Sequence, residues 1–406
     1  MRSTILRKSH LILATSLINL LFFGTEFTFA KEVRGVTEDT IKIGLICDLT
    51  GPVARTWTQP LEAMRTYFLY MNDQGGIHGR SLKLIIEDDR YSIPMAISSF
   101  KKIVYRDKVL AFIGPGSSGG NYALFSLIKK EKIPNITPAM SDAIVHPPKR
   151  YIFSVGVTYS DEYKVMLDYI VSKLQAKKPR IAIVYPDNEP GKSGLKSTRQ
   201  RAKFYGLKLV SEQVVNFGAL DATSQILNLK RAKTDYVVIV GVISSTVCVL
   251  RDAKKFGLSA TFLGMQYTCS EDTVRTAGEA AKNFIGTHCF SSWYDNVPGM
   301  SDVHRITLKY HPGTEKPYRS KFYTSGWITS LILIEGLKRA GKKLSGESLV
   351  ESMESLKDFD TGGLSGPITY GPNRRKATDY VKLYKADIEN GLLVPITGWM
   401  QPKLKR

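Results

Sequence analysis

Residues 109–130, VLAFIGPGSSGGNYALFSLIKK, decide how this chain is read. The first five form an apolar run of strand length, the next seven are glycine, proline and serine, and the remainder has helical spacing. A strand that runs through a glycine-rich turn straight into a helix is one βα unit of an open sheet. A strand apolar at every position is one buried on both faces, as in a parallel sheet covered by helices. The first turn of the helix leaves main-chain N–H groups without intrahelical partners, and the helix dipole adds positive potential there. The segment 114–120 is therefore read as an anion site suited to a small carboxylate.

Working outward, apolar runs at 41–46, 82–87, 109–113 and 133–137 are the expected first strands, separated by amphipathic stretches at 60–71, 94–105 and 121–130. The pattern restarts after Tyr151, with a helix at 161–174, a strand at 180–185, a helix at 193–205, and strands at 208–215, 236–240 and 261–264. Alternating strands and helices imply right-handed crossovers, and the restart implies a second sheet. No low-complexity linker separates the two series. From Ser301 helices dominate, including 321–340, whose apolar part is too short to span a bilayer. Segments 367–370 and 380–387 are expected strands, the second followed by the hairpin signal Asn390-Gly391.

The chain has 406 residues, 43% hydrophobic and 23% charged, which suits about two packed domains. Arg2, Arg7 and Lys8 precede an apolar run from Leu11 to Gly24, and Thr28-Phe29-Ala30 offers a cleavage site, so residues 1–30 are expected to be a secretory signal peptide. Without them the chain keeps 54 basic and 36 acidic side chains, a net +18. The lysines are spread over loops and helix ends rather than gathered in a stripe with aromatics, so a solvated surface is expected and nucleic acid is not a predicted partner. In an oxidising compartment, a single disulfide among Cys248, Cys269 and Cys289 is plausible. The scattered histidines and the lack of Cys-x-x-Cys pairs argue against a metal site, and no cofactor is expected.

Three sharper motifs compete for the glycine-rich turns. Gly114-x-Gly116-x-x-Gly119 matches a dinucleotide fingerprint, but it follows the third strand and no acidic residue closes the next one. Gly116-x-Ser118-x-Gly120 matches a nucleophile elbow in the correct strand-to-helix context. Asp302 with His304 or His311 would have to complete its triad, and they fall in a helical stretch, while no His-Gly-Gly segment lies upstream. Hydrolysis through Ser118 stays open as an alternative. Gly191-Lys192-Ser193 has Pro186 where a phosphate loop needs its first glycine, and Asp187 and Glu189 would repel phosphate.

Several segments taken together resemble a known family. They are Leu49-Thr50-Gly51-Pro52, Asn72-Asp73-Gln74-Gly75-Gly76-Ile77-His78-Gly79, Asp88-Asp89, and the loop beginning Ile113-Gly114-Pro115. From about Thr40 to the C-terminal hairpin the chain is similar to the periplasmic leucine/isoleucine/valine-binding proteins of ABC importers. The resemblance implies a type I periplasmic binding protein: two doubly wound parallel-sheet α/β lobes, three hinge crossings, and a ligand in the cleft between. Lobe 1 would comprise residues 31–156 and 292–364, and lobe 2 residues 157–291 and 365–406.

The resemblance further implies a non-catalytic, monomeric protein of the periplasm that delivers a small carboxylate-bearing ligand to a permease in the inner membrane. A ligand sensor for a membrane signalling partner is the other role open to this fold. Ser117 and Ser118, with Ala139, Met140 and Ser141 after the fourth strand, map to the positions that hold the ligand carboxylate. Two departures stand out. Where amino-acid binders of the family place an acidic partner for the ligand ammonium, this chain has Gln266 followed by Tyr267, and a neutral amide cannot form the same charge-assisted bond. Pro190 replaces a tyrosine of the second lobe, while Trp57 falls near a first-lobe ligand aromatic. The expected ligand is an amino acid or an apolar or aromatic organic acid or amide, and the departures favour the acid or amide over a simple zwitterionic amino acid.

Overall fold

In the computed structural model, residues 33–175, 177–312 and 319–404 are described, so the expected signal peptide lies outside them. Strands β1 (Thr40–Cys47), β2 (Ser81–Asp88), β3 (Ala111–Ile113), β4 (Asn135–Thr137) and β5 (Ile152–Ser154) form one sheet in the order β2-β1-β3-β4-β5, every pair parallel. β1 lies inside the sheet, with Ile43 paired to Leu84 on one side and Ala111 on the other. Accordingly Ile41, Ile43, Leu45 and Ile46 are fully buried, as a strand covered on both faces requires.

A second sheet contains β6 (Ile181–Tyr185), β7 (Ser211–Val214), β8 (Tyr236–Ile239), β9 (Thr261–Gly264), β10 (Phe284–His288), β11 (Lys382–Asp387) and β12 (Leu392–Pro395). Its order is β12-β11-β10-β9-β8-β6-β7. The run β7-β6-β8-β9-β10 is parallel and repeats the winding of the first sheet, while β11 and β12 add an antiparallel hairpin through Asn390-Gly391. Before reaching β11 the chain runs along the edge of the first sheet. There Ser154 N–H donates to the Arg375 carbonyl at 2.8 Å, Ala377 N–H to the Ser154 carbonyl at 3.0 Å, and the Tyr370 hydroxyl to the Ser154 carbonyl at 2.9 Å.

The helix Lys321–Ala340 packs on the helix Ala54–Asp73, with Tyr67 and Trp327 rings 4.6 Å apart. Gly326 permits the approach, because a Cβ there would stand 2.3 Å from the Pro60 carbonyl oxygen. The amphipathic stretch expected from the sequence starts at Pro60. The helix instead begins at Ala54 and carries the proline inside.

Other departures have equally local causes. β5 and β10 were not anticipated: β5 has three residues, and in FIGTH only the first two are apolar, so neither gives a run to read. The strand expected at 367–370 does not form, and Ile368 makes only an isolated bridge to Phe359. The plausible disulfide is not present: Cys47, Cys248, Cys269 and Cys289 are all free. No helix among the described residues is long and apolar enough to cross a membrane.

Candidate functional site

The glycine-rich turn is fixed from several sides. Gly114 has φ +96°, and a Cβ there would lie 2.0 Å from the Ile46 carbonyl oxygen, so only glycine fits between the strand ends. Asn121, fully buried, donates from Nδ2 to the carbonyls of Pro115 at 2.8 Å and Ser117 at 2.9 Å. Thr137 Oγ1 donates to the Pro115 carbonyl at 3.0 Å. Ser117 is the N-cap of the helix Ser118–Glu131, its Oγ accepting the Gly120 N–H at 3.1 Å.

Acidic residues brace the loops beside it. Asp88 accepts the Leu49 N–H at 2.9 Å and the Thr50 hydroxyl at 2.6 Å, and Asp48 accepts the Gly51 and Val53 N–H groups at 2.5 and 2.8 Å. These bonds orient the first turn of the helix that carries Trp57. Asp89 accepts the Tyr91 N–H at 3.0 Å, and burial, with Asp48 and Asp88 nearby, pushes its pKa up to about 6.

Between the two sheets lies a cavity. It is lined beyond the C-terminal ends of the parallel strands: Tyr91 follows β2, Gly116 follows β3, Pro138 follows β4, Gly156 follows β5, and Met265 to Tyr267 follow β9. This is where an open parallel sheet binds ligands, because the strand ends and helix N-termini converge there. Trp57, Tyr91, Tyr159, Phe217, Phe290 and Phe322 supply an aromatic wall. Trp57 lies flat against the glycine turn, so that a Cβ on Gly116 would meet its Cζ2 at 2.7 Å. None of the described lining residues is Asp, Glu, Lys or Arg.

Of the residues singled out in the sequence, the structure brings Trp57, Gln266, Tyr267 and Pro190 together around this cavity. Ser117 and Ser118 sit just past the lining residue Gly116, and Ala139, Met140 and Ser141 just past Pro138; all five are buried. Ser141 Oγ instead meets the Tyr122 hydroxyl and lies 3.4 Å from Glu189 on the helix after β6. The Tyr267 hydroxyl donates to the Pro138 carbonyl at 3.4 Å, a bond from one sheet's loops to the other's.

Behind Gln266 lies a carboxyl that the sequence did not reveal. Glu162 is fully buried, and its carboxyl accepts the Gln266 N–H at 3.2 and 3.3 Å and the Thr287 hydroxyl at 3.2 Å. Burial outweighs these bonds and raises its pKa to about 8, so near neutral pH the group is mostly uncharged. The Gln266 side chain is turned inward as well, its Oε1 accepting from Cys289 Sγ at 3.2 Å.

The residues that would complete a triad with Ser118 are engaged elsewhere. Asp302 is exposed and bonds Arg305 at 2.7 Å, His304 Nε2 lies 2.9 Å from the Trp293 carbonyl, and His311 Nε2 lies 2.9 Å from Thr66 Oγ1. Among the described residues no group of three His, Cys, Asp or Glu side chains is placed to hold a metal ion.

A sequence profile described as periplasmic binding protein matches residues 40–391. The chain belongs to that family. The Leu/Ile/Val/Thr-binding protein of Salmonella typhimurium is 26% identical over 267 residues, 65% of this chain and 72% of the relative. The Leu/Ile/Val-binding protein of Citrobacter freundii is 26% identical over 281 residues, 69% of this chain and 73% of the relative. Among solved structures, that of a branched chain amino acid ABC transporter from Thermus thermophilus with bound valine gives a TM-score of 0.82 at 25% identity, covering 90% of this chain and 97% of that one. A fatty acid ABC transporter substrate-binding protein from Thermomonospora curvata gives 0.80 at 24% identity, covering 91% and 95%, and so shares the fold.

In this periplasmic binding protein the sequence reading missed Tyr91, Tyr159, His288, Phe290 and Phe322. Tyr91 could have been found, since it stands four residues beyond an anticipated strand, where ligands bind in such sheets. His288 closes the unanticipated β10, Phe290 lies two residues beyond it, and Phe322 opens a helix whose spacing reads only as core.

Proposed function

We propose that this protein captures an apolar or aromatic organic acid, or an amide, and presents it to an ABC permease. The observation that carries the reading is the charge-free cavity wall. A zwitterionic ligand would bring an ammonium into a space lined with aromatics, where Gln266 stands in place of a carboxylate and Glu162 behind it is mostly protonated. An unpaired buried charge is strongly unfavourable, whereas an acid without an amine needs only the anion end. Main-chain N–H groups at the start of the helix Ser118–Glu131 suit that end, and Trp57, Tyr91 and Phe322 suit the apolar body.

In this reading residues 31–156 and 292–364, together with 368–377, which are bonded to Phe359 and along β5, move as one lobe, and 157–291 with the remaining C-terminal residues move as the other, closing by hinge motion over the ligand. The chain acts as a monomer in the periplasm after loss of residues 1–30, and it performs no catalysis. The relatives named for leucine, isoleucine and valine set the competing expectation. Titration calorimetry with leucine, phenylalanine and benzoate-type acids separates the two. Acid binding with no leucine response is expected, and micromolar leucine binding overturns the reading.

A further inference from the structure

One polar group of the cavity wall has no function in the account above. His288 closes β10, lines the cavity, and is 1% exposed. Its ring lies between those of Phe290 and Phe322, with centroids 5.6 and 6.2 Å away. Nδ1 accepts the Phe290 N–H at 3.0 Å, so it carries no hydrogen and the ring proton is on Nε2. Nε2 is buried and meets no hydrogen-bond partner among the described residues. Burial, reinforced by the Lys321 ammonium, holds the imidazole well below its usual pKa, so the ring stays neutral.

A buried N–H left without an acceptor costs about 1–3 kcal/mol, and folded proteins rarely leave one so without a use. We propose that His288 Nε2–H is a specificity donor, reserved for an oxygen acceptor carried on the apolar body of the ligand. The inference rests on the organic-acid reading of the cleft and narrows it: the ligand has, besides its acid or amide group, a hydroxyl, carbonyl or ether oxygen. A neutral oxygen suits the position better than a second carboxylate. The neighbours are two phenyl rings, no cation lines the cavity, and a carboxylate would exchange its hydration for a single bond. A ligand N–H is excluded, because Nε2 in this tautomer cannot accept. An oxygen-free analogue would bind with the donor still unpaired, which is the situation in which a site discriminates most strongly.

The test is calorimetry of the purified protein with matched acids, 3-phenylpropanoate against 3-(4-hydroxyphenyl)propanoate and benzoate against 4-hydroxybenzoate, with leucine as control. The wild type is expected to bind at least one hydroxylated member about tenfold or more tighter than its parent. The preference is expected to shrink below about threefold in His288→Phe and to return in part in His288→Gln, which restores a donor. On the unaltered protein, the hydroxylated acid and not its parent is expected to shift the histidine Nε2–H resonance in a ¹⁵N-labelled sample. Acids that bind with no hydroxyl preference, or with one that His288→Phe leaves intact, overturn the role of His288 alone. Leucine binding without acid binding, or no binding by any of the acids, overturns the organic-acid reading and this inference with it.

Discussion

Replacing Glu162 by glutamine is expected to flatten the pH dependence of this protein's stability. In the folded state the carboxyl has a pKa of about 8, against 4.5 for an unperturbed glutamate. Below pH 4.5 both states hold the proton and the group favours neither. As pH rises from there toward 8, the unfolded chain releases the proton while the folded one keeps it, so stability is lost across that window and levels off above it. At about 1.4 kcal/mol per pKa unit, the loss reaches roughly 3 kcal/mol by pH 7 and about 5 kcal/mol above pH 8. Glutamine keeps an acceptor for the Gln266 N–H and the Thr287 hydroxyl without the ionisation. Asp89, raised to about 6, adds a loss of the same sign but is present in both proteins and cancels between them. Thermal unfolding in buffers from pH 5 to 9 reads the outcome. The two midpoints should nearly coincide at pH 5 and separate by several degrees in favour of Glu162→Gln at pH 8. A separation that does not change with pH would refute the reasoning.

Three further outcomes are expected. Lys321→Met should cost about 3–5 kcal/mol in urea unfolding, because it removes the ammonium that lies 2.8 Å from the fully buried Glu271 carboxylate. Adding Glu271→Leu should recover much of that loss, and a double variant no more stable than the single one would contradict the account. Gly116→Val should displace Trp57, which a Cβ already meets at 2.7 Å, and weaken acid binding by calorimetry about tenfold or more with little change in the thermal midpoint. Gly114→Ala should instead lower the midpoint itself, since φ +96° and the Ile46 carbonyl at 2.0 Å leave no space for a methyl group.

The architecture was legible where strands are buried on both faces. VLAFI, which ends in β3, and YVVI in β8 can be read from apolar continuity alone, and the turn at 114–120 announces itself by composition. β5 and β10 were not legible because their identity comes from pairing: three residues and FIGTH become strands only through neighbours that contribute the hydrogen bonds. The segments that carried the family resemblance prove to be brackets. Asp88 ties Leu49 and Thr50, while Asn72 exchanges hydrogen bonds with the main chain of Leu82 at 2.7 and 3.0 Å. For the site, Trp57, Gln266 and Tyr267 were within reach because they follow recognisable strands or motifs. Glu162 and His288 were not, since a carboxyl on a helix reads as a surface charge until a second sheet is laid over it.

The passage of residues 370–377 along β5, on the way to β11, has a consequence for how the molecule is made. Both sheets stay ragged at one margin until the last forty or so residues arrive: β5 lacks its outer companion and β10 its antiparallel neighbour. The final stretch is therefore a clasp for two halves at once. A nascent chain interrupted before Tyr370 would leave both halves with unpaired strand margins, the kind of surface that seeks pairing with other chains. Completion of the fold is thereby postponed to the end of synthesis.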